Sequence, residues 1–410
     1  MNHGMVRAVN RLTTRWAAQV PPPDSGTVFA ASGVWPLLAL LADGAGGPAR
    51  AELAEALGIP AEAAAGAARD LLDALADVRG LQAATGLWAR AEVPLEEGWS
   101  AKLPAGSRGT LSGEPVADAK VLDAWAAERT GGLIEHVPVS WPEDTRLVLA
   151  SALALRVRWA EPFQEAPVAV AEGPWARRVL RRLSRTTRSL DEIRVAHGPA
   201  GAVTVLEVAG TEDVDVHLLL GEPETPSRAV LETGLGAVTG AVPSRSGSEL
   251  PDGTPGPGLT RSTVDSPFPV DLLQVRTVAF SLFAEHDLLD HAPLFGLDAA
   301  RDATFEHFPG ISSEPLAIGS ARQSAMARFH ATGFEAAAVT AVAARPGGAA
   351  PPRVRHRVRR AEVRFDRPFG FLAVHRDSRL VLASGWVTDP ETAVEGGRYV
   401  GARRPTPPSR

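Results

Sequence analysis

Few residues of this chain are spaced for catalysis. Gly234-Leu235-Gly236-Ala237-Val238-Thr239-Gly240 approaches the glycine pattern of a dinucleotide loop. Its last glycine falls one residue late and no strand-then-helix frame surrounds it, so it reads as a glycine-rich turn. His286-Asp287-Leu288-Leu289-Asp290-His291 offers two imidazoles and two carboxylates but meets no zinc spacing, and reads as a polar helix start. No serine lies in a Gly-x-Ser-x-Gly elbow. Cysteine is absent, which excludes disulfides and thiolate-bound metals. These observations call for no catalytic residue, no metal and no cofactor.

Two arginine clusters could act on a different kind of partner. Arg177, Arg178, Arg181, Arg182, Arg185 and Arg188 recur with partly helical spacing and no acidic residue among them. Arg353, Arg355, Arg357, Arg359 and Arg360 form a second run around His356. Either could hold a polyanion, each contact releasing counterions, and the plainer alternative is a solvated face. The first cluster, Arg177, Arg178, Arg181, Arg182 and Arg185, is the candidate polyanion patch. The chain as a whole carries a net charge of −6, so any such patch works against the bulk field.

The third candidate is Gly333-Phe334-Glu335-Ala336-Ala337-Ala338-Val339-Thr340 with its continuation to Ala344. It is small, apolar and nearly uncharged. Its alanines favour helix while Val and Thr tolerate strand. If alternation begins at Phe334, then Phe334, Ala336, Ala338, Thr340, Val342 and Ala344 face one way and Glu335 the other. A face free of charge can be buried in a sheet, since an unpaired buried charge is costly.

The elements that would position these residues are legible from pattern. At 410 residues, 45% apolar and 22% charged, the chain can bury a large core of ordinary globular composition. No run reaches the roughly 18 apolar residues that span a bilayer. Arg7, Arg11 and Arg15 break up the N-terminus, leaving no secretory h-region, so the expectation is a monomeric cytoplasmic protein that engages no membrane. Helices are expected over 5–19, 48–57 with a stop at Gly58, 61–78 and 120–130, and a strand running into a buried helix over 27–42. Strands are expected over 82–90, 145–159, 202–208, 214–220, 275–283, 326–329, 362–365, 369–376 and 379–387, with a short helix at 288–295. Residues 243–269, rich in Gly, Pro and Ser, read as an exposed loop, and 391–410 as a flexible tail beyond a single domain over 5–390. Helices early and strands late make an α+β fold.

Five motifs in order resemble the serpin family over nearly the whole chain. They are Trp125 with Thr130-Gly131-Gly132-Leu133-Ile134; Thr145 to Ala152 followed by Trp159 and Pro162-Phe163; Phe308-Pro309-Gly310-Ile311-Ser312; the stretch from Gly333; and Phe365-Asp366-Arg367-Pro368-Phe369 with Leu382 through Gly385 to Val387 and Pro390. The resemblance implies three β-sheets, eight or nine helices and an exposed reactive-centre loop. It also implies a serine-protease inhibitor that is not itself an enzyme. A protease cleaves the loop, and the hinge, Gly333 to Thr340, inserts into the main sheet as a new strand and traps the acylated protease. A strand added to a sheet is a known recognition mode and switch.

This chain departs from the family pattern in several places. Phe334 stands where Thr or Ser is usual, and a ring there is expected to slow insertion. Ser151 and Gln323 stand where an Asn and a His pair under the sheet, and both can still hydrogen-bond. Gly333 and Phe365 are 32 positions apart, a long loop. Counted from the hinge, cleavage falls in Ala344, Arg345, Gly347 and Gly348, which suits a subtilisin- or elastase-like target. Counted back from Phe365 it falls in the arginine run, which suits trypsin-like enzymes. The alternative function is a non-inhibitory binding or scaffold protein on the same fold.

Overall fold

The computed structural model describes residues 1–19, 22, 24–103, 107–136, 146–302, 304–334 and 356–393. The first third is mostly helical: α1 (His3–Gln19), β1 (Thr27–Phe29), α2 (Ala31–Gly44), α3 (Gly47–Leu57), α4 (Ala61–Ala76), β2 (Leu81–Arg90), α5 (Glu97–Ser100), β3 (Arg108–Leu111) and α6 (Pro115–Arg129). Strands then dominate: β4 (Leu147–Leu155), β5 (Val157–Arg158), β6 (Gln164–Ala169), β7 (Val179–Thr187), β8 (Ile193–Gly198), β9 (Gly201–Val208) and β10 (Val214–Gly221). Helix α7 (Ser227–Thr239) leads to β11 (Ser244–Ser246), β12 (Gly253–Gly256), β13 (Leu259–Ser266), β14 (Leu272–Val278), β15 (Phe280–Asp287) and the one-turn α8 (Ala292–Phe295). The last elements are β16 (Ala321–Phe329), β17 (Gly333–Phe334), β18 (His356–Arg364), β19 (Phe369–His375) and β20 (Val381–Val387). The architecture is the expected α+β fold, with eight α-helices and three sheets among the described residues.

Local chemistry accounts for most boundaries. Helix α3 starts with Pro48 in its first turn and stops where Gly58 takes φ 70°, a left-handed cap. Helix α2 is buried along almost its whole circumference, which its composition dictates, since Asp43 is its only charged residue. Strands β9 and β10 lie at the middle of a sheet ordered β1-β20-β19-β10-β9-β8-β11, and every residue of β10 is buried. That burial on both faces explains the mainly apolar sequences of β10, β19 and β20, in which Asp215, His217 and Ser384 are buried polar exceptions.

Four sequence-based expectations are corrected. Residues 243–269 are not an open loop: they supply β11, β12 and β13, and β13 pairs with β18 from Leu259↔Val363 to Ser266↔His356. Gly253, Pro255 and Gly256 sit in β12, an edge strand, where a missing donor is tolerated, and the other Gly and Pro fall outside the three strands. Gly234 to Thr239 is the end of helix α7, not a turn, with Gly240 as its left-handed cap. Arg181, Arg182 and Arg185 lie in strand β7, not in a helix. The expected tail is tied down at its start: Arg181 N donates to Glu391 O, and Ala393 N donates to Val179 O. Residues 394–410 lie outside the described residues.

His217, within β10 and 3% exposed, is held neutral by desolvation, which lowers its pKa from 6.5 to about 4. Asp215 opposes this shift, while Arg379 and Arg194 add to it. The folded chain therefore binds fewer protons than the unfolded chain between those two values. This contribution to stability is complete above pH 6.5 and declines as pH falls toward 4. In His217→Leu, the gap between denaturant midpoints at about pH 7 and about pH 5 should shrink relative to the parent chain. An unchanged gap would show that His217 does not titrate on unfolding.

Candidate functional site

The central feature is a seam in the sheet ordered β3-β2-β4-β16-β17-β5, with β15 on the other edge of β16. Strands β4 and β16 run parallel and pair only at Ala321↔Leu149, Arg322↔Ala150 and Gln323↔Ser151. Beyond that point the facing edges have no ladder, although the opposite edge of each strand is paired along its length, β4 with β2 and β16 with β15. Unpaired strand edges are templates for another strand.

The upper end of the seam is filled by the hinge. The chain turns back after β16, and β17 seats Phe334 opposite both Phe329 of β16 and Val157 of β5. The turn is held on both sides: His330 N donates to Gly333 O, Trp159 N to Thr332 O and Phe163 N to Ala331 O. The Trp159 indole donates to His330 O at 2.8 Å. Gly333 has to be glycine, because a Cβ there would lie 2.3 Å from Val157 O.

Phe334 is 2% exposed and its ring lies 5.9 Å from Phe371. It joins an aromatic cluster in which Phe280 stacks on Phe329 at 5.4 Å and Trp159 lies 4.8 Å from Phe329. The ring therefore lies in the core. Phe334 points inward, so the parity inferred from sequence for Ala336, Ala338 and Thr340 starts from an observed side chain. Glu335 to Thr340 and the candidate scissile residues Ala344, Arg345, Gly347 and Gly348 lie outside the described residues.

Below Phe334 a narrow cavity of about 10 Å³ runs between the strands, lined by Leu153, Ala154 and Leu155 of β4, Met326 and Arg328 of β16, Phe334, and Leu133 and Ile134. The last two come after α6, whose Trp125 meets Trp88 at 4.8 Å over the outer face of the sheet. The Thr130-Gly131-Gly132 turn read from sequence thus places a lid over the seam.

At the closed end, Ser151 and Gln323 are register partners but do not bond each other. Gln323 forms a two-way bond with the backbone of Ala30: Ala30 N donates to Oε1 and Nε2 donates to Ala30 O, each at 2.9 Å. Ser151 Oγ is buried with no hydrogen-bond partner among the described residues. Gln323 thereby ties the seam to the start of α2, where Ser32 Oγ donates to Leu382 O.

The first arginine cluster does not assemble into a free cationic patch. Arg181 pairs with Glu165 and Glu391, Arg178 with Asp389, and Arg185 with Glu192 while lying 4.8 Å over the Phe163 ring. These partners lie outside the cluster, seven residues away for Glu192 and 210 for Glu391, so the absence of acids within it does not report its neutralisation. Arg182 sits on β7 between Arg181 and Leu183, its Nε buried without a partner among the described residues. In the second run, Arg359 pairs with Asp271. The His286–His291 segment is structural: His286 Nε2 contacts Val28 O, and Asp287 accepts from Leu289 N. No group of three or more metal-ligating side chains occurs among the described residues.

Gln323→Ala should leave the Ala30 N–H buried without a partner, while the Ala30 carbonyl keeps its bond from Gly33 N, and cost about 1–3 kcal/mol. Urea denaturation measures this, and a loss below about 0.5 kcal/mol would contradict the role given to Gln323.

Comparisons with known proteins agree with this geometry. No curated sequence gives a significant match. Among solved structures, thyroxine-binding globulin in complex with thyroxine superposes with a TM-score of 0.69 at 15% identity, over 94% of this chain and 98% of that one. A second, human thyroxine-binding globulin complex also gives 0.69 at 15%, over 95% and 98%. A serpin from the trematode Schistosoma haematobium gives 0.67 at 13% identity, over 95% and 99%. At such identities the likeness concerns the fold alone. The sequence itself matches the family model described as serpin (serine protease inhibitor) over residues 7–172 and 271–390, most of its length. With the hinge seated in an open seam of its main sheet, this chain belongs to the serpin family.

Proposed function

We propose that the protein inhibits serine proteases by surrendering its loop to cleavage and drawing the cut end into the seam. The observation that carries this reading is Phe334, already paired on both sides at the mouth of an unladdered gap between β4 and β16. A strand continuing from Phe334 in the same register runs antiparallel to both neighbours and reaches Ala321 at residue 342. Its inward side chains would be Ala336, Ala338, Thr340 and Val342, none of which brings a charge into the core. Residues 335–339 would supply ladder bonds to two unpaired edges, and residues 340–342 would replace the three existing pairs between β4 and β16 with a ladder on each side, which favours insertion once cleavage frees the chain.

Cleavage has to lie beyond residue 342 for the full strand to form. This favours Ala344 to Gly348 and a subtilisin- or elastase-like target that accepts small residues. In this role the protein is a substrate that fails to turn over, not an enzyme.

A second reading is a carrier or scaffold. One of the similar folds is a thyroxine complex, and the present chain has an open cleft of about 720 Å³ lined by Glu161, Arg188, Asp191, Asp271 and Arg359 among others. The two readings separate on a denaturing gel after incubation with subtilisin, elastase or trypsin. Inhibition predicts a covalent complex that survives the gel and a cleaved chain that melts at higher temperature than the intact one. Clean cleavage with no complex and no rise in melting temperature sinks it. Phe334→Asp should abolish both the complex and the thermal gain, because a carboxylate cannot lead the strand into the aromatic cluster.

A further inference from the structure

Several arginines that are exposed or half-buried come together on one face of a different sheet, ordered β12-β13-β18-β14-β7-β6. The ladders fix which residues share that face. Leu183, Val275, Ala361 and Val363 are buried on the inner side. The outer side therefore carries Arg182 and Ser184 of β7, Gln274 and Arg276 of β14, and Arg360 and Arg364 of β18, in registers Arg276↔Ser184 and Arg276↔Arg364.

Arg276 and Arg364 are direct neighbours, about 4.8 Å apart across the ladder, an arrangement that like charges disfavour. Both lean on one carboxylate, Glu362, at 3.2 and 2.7 Å. Their fields, with that of Arg360, hold Glu362 below the usual carboxylate range, the hydrogen bond from Arg364 contributing most. Arg360 reaches only the neutral amide of Gln274, and Arg182 has no ion-pair partner among the described residues. Four guanidinium groups thus face one carboxylate on a chain whose net charge is −6. The nearby Asp366 is bonded to Arg367.

The position of this face narrows its partner. Strand β18 starts at His356, on the C-terminal side of the loop, and β7 is linked to the turn before the loop through Glu391, which pairs with Arg181 and lies 3.8 Å from His330. The two described ends that flank residues 335–355 thus lie at opposite ends of the strands of this sheet. A protease engaging the chain between those two ends would meet this sheet. We propose that this face is a docking surface for an acidic patch beside the active site of the target protease, one that speeds encounter and selects among proteases of the same cleavage preference. The inference rests on the inhibitory reading for its partner. Its physics is steering by a charged surface, which acts mainly on association and fades with salt.

The test uses the full chain and two subtilisin-type proteases, one of acidic and one of basic isoelectric point, each with its catalytic serine inactivated. Binding is measured at about 0.02 M and about 0.3 M salt, where screening lengths differ several-fold. The acidic protease should bind at least about tenfold faster at low salt, and Arg276→Ala/Arg360→Ala/Arg364→Ala should remove most of that advantage while leaving the melting temperature in place. The Lys triple variant should keep most of it. Binding of the basic protease should not fall in the Ala variant.

An Ala variant that binds the acidic protease as well as the parent overturns the proposal. So does a surface that captures a sulfated polysaccharide in an Arg-dependent way yet gives no salt-dependent protease binding. Active proteases run in parallel keep the two readings apart. Arg-dependent docking without a covalent complex supports the surface and sinks the inhibition.

Discussion

Two parallel strands that pair at one end and not the other set the terms for the rest of this fold. Where β4 and β16 part above Ser151 and Gln323, each leaves a row of backbone donors and acceptors facing a gap. Such edges are costly to bury and prone to capture another strand. The surrounding structure manages both risks. Leu133 and Ile134 lie over the gap, and the hinge caps its mouth. Gln323 bolts the closed end to the N-terminus of α2 through two hydrogen bonds.

The aromatic cluster beneath the hinge gives this arrangement a fixed starting point. Trp159, Phe163, Phe280, Phe329, Phe334 and Phe371 come from widely separated segments, and their rings lie within 4.8–5.9 Å of one another in a connected set. Packing at that density transmits position with little slack. Phe334 therefore sets both the register and the facing of any strand that continues from it.

Much of this was legible in the sequence because it is local. Gly58 as a helix stop, the buried helix after Val28, the alternation from Leu147 and the charge-free hinge each come from backbone geometry or periodicity within a few residues. The failures share one cause. The Arg177–Arg188 cluster looked free of acids because Glu165, Glu192, Asp389 and Glu391 reach it only through the fold. Residues 259–266 looked like loop because β13 shows no apolar alternation; it is a strand because β18 offers it an edge.

The α+β class, the order of elements and the small, nearly uncharged composition of the stretch after Gly333 are properties of the chain alone, since they depend on side-chain size, charge and period along it. Folding in three dimensions made β4 and β16 neighbours, stopped their ladder at Gln323 and Ser151, and seated Phe334. It also gathered Arg182, Arg276, Arg360 and Arg364 onto one face. No local pattern could encode these outcomes, because strand neighbours and ion pairs are contacts between residues far apart in the chain. Their free energy depends on which edges and charges remain unsatisfied after every other element has packed.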